Sequence, residues 1–499
     1  MSDDLTILNP TGDPTLNPDD KEVAELAKGV ERCWELAQSY GLDPYPTHFE
    51  IVPAEIMYEF GAYGIPGRFS HWTHGKAYYR MKTQYDYGLS KIYELVINSN
   101  PSYAFLMEAN SLWQNKMVIA HVLGHTDFFK NNAYFAHTDR HMVDSASLHA
   151  DRIRQYEYEH GTDVVEKFLD AVLSIEEHID TNVRVRSEAS QFSSADKEKE
   201  TEGKRVASSP YEDLWSLDER GKTEEKDKEK EREREKRRKF PPSPEKDILR
   251  FVMTHSRELE DWQRDIIEMV RNEALYFLPQ KQTKIMNEGW ASLWHQRITR
   301  ELELSDGDYT EYAQLNAGVL SPNRRSINPY YIGLKMWQDI ERRWNEPNEY
   351  EREVLRRPGG EGHKKIFEVR ELDNDVSFLR NYLTKELIEE LDLYLYEKRD
   401  GQWVIVEKDW EKVRDGLVHS MTNFGDPYIM VEDADYKQNR ELYLRHQFEG
   451  TPLDVGYAEK TLQYIHSMWG RTVHIETQSE NKKILLSYDG RSNTKRVIS

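Results

Sequence analysis

A chain of 499 residues is long enough for two or three domains and a sizeable core. Its 90 acidic against 68 basic residues give a formal net charge of -22, which argues against a protein that coats nucleic acid or anionic lipid. One cysteine, Cys33, excludes a disulfide within the chain and leaves any transition-metal site to histidine and carboxylate ligands.

Residues 1–20, rich in Asp, Pro, Asn and Thr, read as a flexible tail without the apolar core of a signal peptide. No apolar run approaches the roughly 18 residues of a membrane span, so a cytoplasmic protein is expected. Helical spacing begins with Val23, Leu26, Val30, Cys33, Trp34 and Leu36. A Tyr-rich section over 56–95 is punctuated by Gly and Pro. "SLWQNKMVIAHVLGHTDFFKNN" then predicts a strongly apolar helix with Ser111 as N-cap. Residues 21–185 form the first part of a helical domain on this reading. Between 186 and 244 the chain turns to mixed-sign charge, predicting a disordered insert or lone charged helix; the interleaved signs do not suit a nucleic-acid arm. Its "SPYEDLWSL" is the one stretch expected to dock.

Helix resumes over 245–370, with a break expected at Pro279 and Pro329 suited to a first turn. In the final section, 371–499, "GQWVIVEKD", "DPYIMVEDAD", "ELYLRHQF" and "RTVHIETQSENKKILLSYDG" alternate like strands around one helix, "DVGYAEKTLQYIHSMWG". The predicted fold is mainly α: a large helical domain followed by a small α+β C-terminal domain.

Two motifs carry chemistry. "AHVLGH" places His121 and His125 four apart, on one helix face a turn apart, where two imidazoles can share an ion. A chance pair of core or surface histidines is the alternative. "NEGWASLWH" places Glu288 in a second helix, either as a ligand or as a carboxylate favoured by the helix dipole. "NEGWA" is similar to the NEGFA-type stretch of gluzincin metallopeptidases. That resemblance implies a gluzincin-like domain and a divalent-metal site, zinc by preference, with His121, His125 and Glu288 as ligands and an open position for water. The peptidase motif is HExxH, whose Glu is the general base; here Val122 stands in that position and cannot accept a proton. Glu108, Asp127 and Glu273 are the candidate replacements, each with a structural role as its alternative.

His295 lies seven residues beyond Glu288, on the same face but about 10 Å along the axis. It is therefore expected to support a ligand, to touch substrate, or to be a capped surface residue rather than to share the ion. His137, His141 and His149 are further candidates. Trp290 and Trp294, four apart, read as core rather than as a sugar platform. No phosphate-binding glycine loop is present, and Cys33 is not expected to act as a nucleophile. A carboxylate-bridged di-metal bundle would need Glu-x-x-His on two helices, and "EEHI" at Glu176–Ile179 has the wrong spacing.

Longer blocks resemble the stage V sporulation protein R (SpoVR) family: "YELVINSNPSYAFLMEAN", "MVIAHVLGHTDFFKNNAYF", "LEDWQRDIIEMVRNEALYFLPQKQTKIMNEGWASLWH", "INPYYIGLKMWQDIERRW" and, near the C-terminus, "YLRHQFEGTPLDVGYAEKTLQYIHSMWGRTVHIET". The resemblance implies a cytoplasmic protein linked in spore formers to the spore cortex, a modified peptidoglycan. The family's presence in organisms that make no spores implies a broader stress-response role. It also implies a PrkA-type serine protein kinase and a YeaH/YhbH-type protein as partners. Two readings of function follow: a metal-dependent hydrolase acting on an amide, or a non-enzymatic regulator or scaffold in which the histidines are structural.

Overall fold

The computed structural model describes residues 5–8, 20–87, 94–181, 239–302, 304–321, 327–399, 402–480 and 482–498. Most of the expected charged insert, "SPYEDLWSL" included, lies outside these residues.

The first elements are β1 (Leu5–Leu8), α1 (Asp20–Ser39), β2 (Thr47–Val52), α2 (Ala54–Tyr63), α3 (Trp72–Asp86), β3 (Glu94–Ile97), β4 (Ser102–Met107) and α4 (Leu112–Asn131). Helices α5 (Met142–His160), α6 (Thr162–Leu173), α7 (Ile248–His255), α8 (Asp261–Gln282), α9 (Lys284–Arg300), α10 (Asp306–Val319) and α11 (Pro329–Asn345) follow. Then come α12 (Glu349–Glu353), α13 (Gly362–Leu372), α14 (Asp375–Tyr382), α15 (Lys385–Glu390), the hairpin β5 (Leu395–Arg399) and β6 (Gln402–Glu407), and α16 (Trp410–Met421). The last elements are β7 (Ile429–Tyr436), β8 (Glu441–His446), α17 (Val455–Trp469), β9 (Val473–Ser479), β10 (Lys482–Tyr488) and β11 (Asn493–Ile498). They fall into two compact units, 1–155 with 275–425, and 156–274 with 426–499. The α+β section thus separates at 425/426 rather than at the expected 370/371, because α14, α15 and α16 pack into the first unit's core.

In the first unit, two helices are buried almost all round, as apolar sequence without a polar face requires: α4 from Trp113 to Phe129 and α9 from Ile285 to Thr299. The stripe predicted on α1 does face the core, with Leu26, Val30, Cys33 and Leu36 at most 4% exposed. Trp290, Trp294 and Trp337 are fully buried and their rings meet at 4.9–5.3 Å, so the tryptophans are core, as expected. Burial also pushes the Cys33 thiol up to about 12, which leaves it inert.

Two features differ from expectation. Residues 5–8 are not tail but strand β1, in a four-stranded sheet of order β1-β2-β4-β3 within what reads as a helical domain. The β1-β2 and β2-β4 pairs are parallel, and edge strand β3 runs antiparallel to β4. Strands of 4–6 residues carry too little periodicity to be separated from buried helix. The second difference is at Pro279, which sits inside α8; the helix breaks instead at Thr283, whose hydroxyl donates to the Pro279 carbonyl at 2.7 Å.

The start of α9 is held from outside. Asp375 accepts the Ile285 and Met286 backbone N–H groups at 2.9 Å each, satisfying two first-turn donors. Burial pushes its carboxyl from 3.8 up to about 7, against the opposing pull of those N–H groups. A raised folded value means the unfolded chain loses the proton first. Stability from this group is therefore complete below about pH 4, falls as pH rises, and is lost above about pH 7. Asp375→Asn removes that titration. The stability difference between wild type and variant is expected to shrink in wild type's disfavour from pH 4 to 7 and to stay flat above, as thermal melts across the range would show; a pH-independent difference would refute it.

The second unit holds the five-stranded sheet β11-β10-β9-β8-β7. Its pairs are antiparallel except β8-β9, the pair joined by crossover helix α17, as a parallel connection requires. Leu462, Ile465 and Met468 bury the inner face of α17, and Gly470 ends the helix at φ +77°. The strands and helix expected here are all present.

Candidate metal centre

Two backbone contacts let α4, α9 and α11 approach closely enough to share a site. A Cβ on Gly124 would lie 2.7 Å from the Ala291 Cα, and one on Gly289 only 2.3 Å from the Gly333 carbonyl carbon. "NEGWA" can therefore be read residue by residue. Asn287 accepts from His125 Nδ1 at 2.9 Å, and Glu288 faces the histidines. Gly289 admits α11, Trp290 Nε1 donates to Asp127 at 2.8 Å, and Ala291 fits over Gly124.

The two imidazoles of α4 sit with ring centroids 4.6 Å apart, each residue 5% exposed. His125 Nε2 lies 3.6 Å from Glu288 Oε2, and His121 Nε2 lies 3.8 Å from the same oxygen. A carboxylate that sequence reasoning missed completes the group: Glu94 Oε1, on β3, is 3.8 Å from His121 Nε2. The ligand atoms of Glu94, His121 and His125 all lie within 4.8 Å of one another.

Hydrogen bonds on the far side of each ring fix the tautomers. Asn287 Oδ1 can only accept, so His125 carries its proton on Nδ1 and leaves the Nε2 lone pair for the cluster. His121 Nδ1 meets His295 Nδ1 at 2.9 Å, and His295 Nε2 faces Asn316 Oδ1 at 3.4 Å. With His295 donating Nε2–H to Asn316, its Nδ1 accepts from His121 Nδ1–H and leaves His121 Nε2 free, which is the tautomer a bound cation would select. His295 thus meets the far side of the His121 ring, and it is buried rather than a capped surface residue.

Burial lowers His125 to about 4, with the neighbouring His121 adding to the effect, and lowers His295 to about 3 for the same two reasons; both are neutral at pH 7. His121 is raised: burial opposes its charge, but the Glu288 and Glu94 carboxylates outweigh burial. Glu288 is held low, since the two histidines and Lys284 overcome its burial, whereas burial raises Glu94. Tyr330 stacks at 30° to His121 and lies against Glu288; burial and the two carboxylates keep its phenol protonated.

The residues fit a divalent cation on one structural test. His121 Nε2 and Glu288 Oε2 are both buried without a hydrogen-bond partner, a costly arrangement for two polar atoms aimed at one point.

The other expected participants are elsewhere. Val122 is fully buried in the core. Asp127 is also fully buried, and both its oxygens are engaged, by Arg370 Nη1 at 2.8 Å, Trp290 and the Asp43 N–H. Glu108 is exposed after β4, and Glu273 is buried on a part of α8 that belongs to the second unit. His137 and His141 are exposed, and His149 is half-buried on α5. Among the missed residues, Asn287 and Tyr330 stand in quoted motifs ("NEGWA", "NPYY"). Glu94 had no local signal.

Fold and site together define a protein of two units, the larger built around a buried His–His–carboxylate cluster at the crossing of α4 and α9. The chain belongs to the SpoVR family. The family described as "SpoVR like protein" matches residues 20–426, and "SpoVR-like C-terminal domain" matches 427–480, a junction one residue from the 425/426 boundary of the units. "Uncharacterized protein YcgB" of Escherichia coli (strain K12) is 30% identical over 514 residues, covering 97% of each chain. No solved structure matches. Among the described residues, no helix is long and apolar enough to cross a membrane.

Proposed function

We propose that this SpoVR-family protein is a metal-dependent hydrolase, with His121, His125 and Glu288 as ligands. The observation that carries the reading is the pair of buried, unbonded atoms, His121 Nε2 and Glu288 Oε2, facing His125 Nε2. Zinc is the ion first suited to a two-histidine, one-glutamate set, and it would polarise a carbonyl and lower the pKa of a bound water. Within the chain, Asn287 and His295 hold both imidazoles in the tautomer that presents Nε2. The protonated Tyr330 phenol is a donor beside Glu288, suited to an oxygen on which negative charge develops. Of the three carboxylates expected as base, Asp127 has no oxygen to spare and Glu108 faces solvent. The carboxylate that faces the cluster is Glu94.

The likeness to gluzincins supports amide hydrolysis in a peptide or peptidoglycan precursor. The likeness to SpoVR proteins supports a cytoplasmic place in cortex formation or a stress-response module, beside a PrkA-type kinase and a YeaH/YhbH-type protein. Val122 in place of the peptidase glutamate favours the second reading, a regulator or scaffold working with the kinase.

Elemental mass spectrometry on untagged wild type and Glu288→Ala separates the two. About one metal per chain, lost in the variant, is the expected result. Metal-free wild type from metal-replete growth would move the protein to the scaffold reading, as would full biological activity in folded His121→Ala and Glu288→Ala variants.

A further inference from the structure

Glu94 could serve the proposed ion in two ways: as the base that HExxH lacks here, or as a ligand. Two donors bound to one zinc-like ion at about 2.0–2.2 Å lie about 3.3–3.6 Å apart in a tetrahedral arrangement. A base acts through a bound water and stands one hydrogen bond further from the ion, so its oxygen falls from about 3.6 Å to beyond about 5 Å from a ligating nitrogen with the torsion about that water. What favours the ligand role is a spacing equal to that of Glu288. Glu94 Oε1 is 3.8 Å from His121 Nε2, the same separation as Glu288 Oε2. Its position is also set by the fold. Glu94 opens β3 and pairs with Leu106 of β4, a fully buried residue, so the sheet brings the carboxylate to the histidines.

We infer that Glu94 is a fourth protein ligand, so that the site is a two-histidine, two-carboxylate centre drawn from the sheet, α4 and α9. This rests on the metal reading of His121, His125 and Glu288. It also changes the choice of ion. Four protein donors fill a tetrahedral ion and leave no place for water, as in structural zinc sites. A centre that still binds water needs an ion accepting five or six ligands, and two carboxylates with two imidazoles suit Mn²⁺ or Fe²⁺.

The test uses the full chain, untagged and stripped of metal, as wild type, Glu94→Gln and Glu288→Gln, titrated with Mn²⁺, Co²⁺ and Zn²⁺. The inference expects Glu94→Gln to lose more than about 100-fold in affinity, as Glu288→Gln does, with the metal-free circular dichroism unchanged. A loss of about 10–100-fold or less is the range of a partner that only orients a ligand, and would overturn the inference while leaving the metal site standing. A second readout needs no variant. The wild-type Co²⁺ adduct is expected to show the weak visible absorption of five- or six-coordination. Intense tetrahedral bands that shift on adding azide would mean an open position on a four-coordinate ion, hence only three protein ligands, and would overturn the inference even where Glu94→Gln fails to fold. Absence of binding by wild type would overturn both this inference and the reading on which it rests.

Discussion

Replacing Asp127 with Ala is expected to destabilise the chain by about 3–5 kcal/mol, the cost of stranding one partner of a buried ion pair. Asp127 and Arg370 are 0% and 7% exposed, and Arg370 Nη1 lies 2.8 Å from both carboxylate oxygens. Trp290 Nε1 and the Asp43 N–H donate at 2.8 Å each and Asn131 Nδ2 at 3.2 Å, so removing the carboxylate leaves a guanidinium, an indole and a backbone donor without that acceptor. Arg370→Leu should cost about as much, because it leaves the carboxylate buried alone. The double variant Asp127→Leu with Arg370→Leu should recover much of the loss, since apolar pairs often replace buried ion pairs at little cost. Tryptophan fluorescence during denaturant unfolding follows the region directly through Trp290. The same bond ties α4 to α9, two residues beyond His125 on one side and two beyond Glu288 on the other. Asp127→Ala is therefore also expected to weaken metal retention without touching a ligand. A midpoint shift equivalent to less than about 1 kcal/mol would mean that the pair is solvated and that the tie does not exist.

How far the site could be read from sequence depends on whether a relation is local. His121 and His125 are related by helix geometry alone, and a 3.6-residue period suffices to pair them. Ser111, whose N–H Gln114 accepts at 3.1 Å, and Pro329 in the first turn of α11 follow from helix-end chemistry in the same way. Trp290 and Trp294 were legible as core because their spacing matches one helix face. Glu288 needed a resemblance, since nothing in helix geometry links it to residues more than 150 positions earlier. Glu94 was out of reach: it joins His121 through the β3–β4 register and the packing of α4 against the sheet, neither of which leaves a spacing rule in the chain. His295 shows the same limit. Its distance along α9 sets it apart from Glu288, but its bond to His121 depends on how α4 crosses α9. The sheet itself was missed because β1 and β3 span four residues each, too few for alternation to register.

Gly289→Ala should be among the most damaging additions of a single methyl group in the first unit. Helix propensity alone would favour the change by about 1 kcal/mol. Packing reverses the sign, because the new Cβ would stand 2.3 Å from the Gly333 carbonyl carbon and 2.5 Å from its Cα, with the Leu334 nitrogen at 2.7 Å. All three are backbone atoms and cannot rotate away, so α9 and α11 must separate by more than an ångström. Overpacking of this kind costs about 1–3 kcal/mol where side chains can adjust and more where they cannot, so a net loss of about 3 kcal/mol is expected. The damage reaches the site by both flanks of the contact: Glu288 precedes Gly289 on α9, and Tyr330 lies one turn before Gly333 on α11. Metal retention should therefore fall together with stability. Gly75→Ala on α3 is the matched control, since a Cβ there meets nothing within 4 Å and only the propensity gain remains. Thermal melts of the two variants are expected to move in opposite directions. A Gly289→Ala protein as stable as wild type, with its metal retained, would place the helices further apart than the Gly289–Gly333 contact allows and would remove the reason for glycine in "NEGWA".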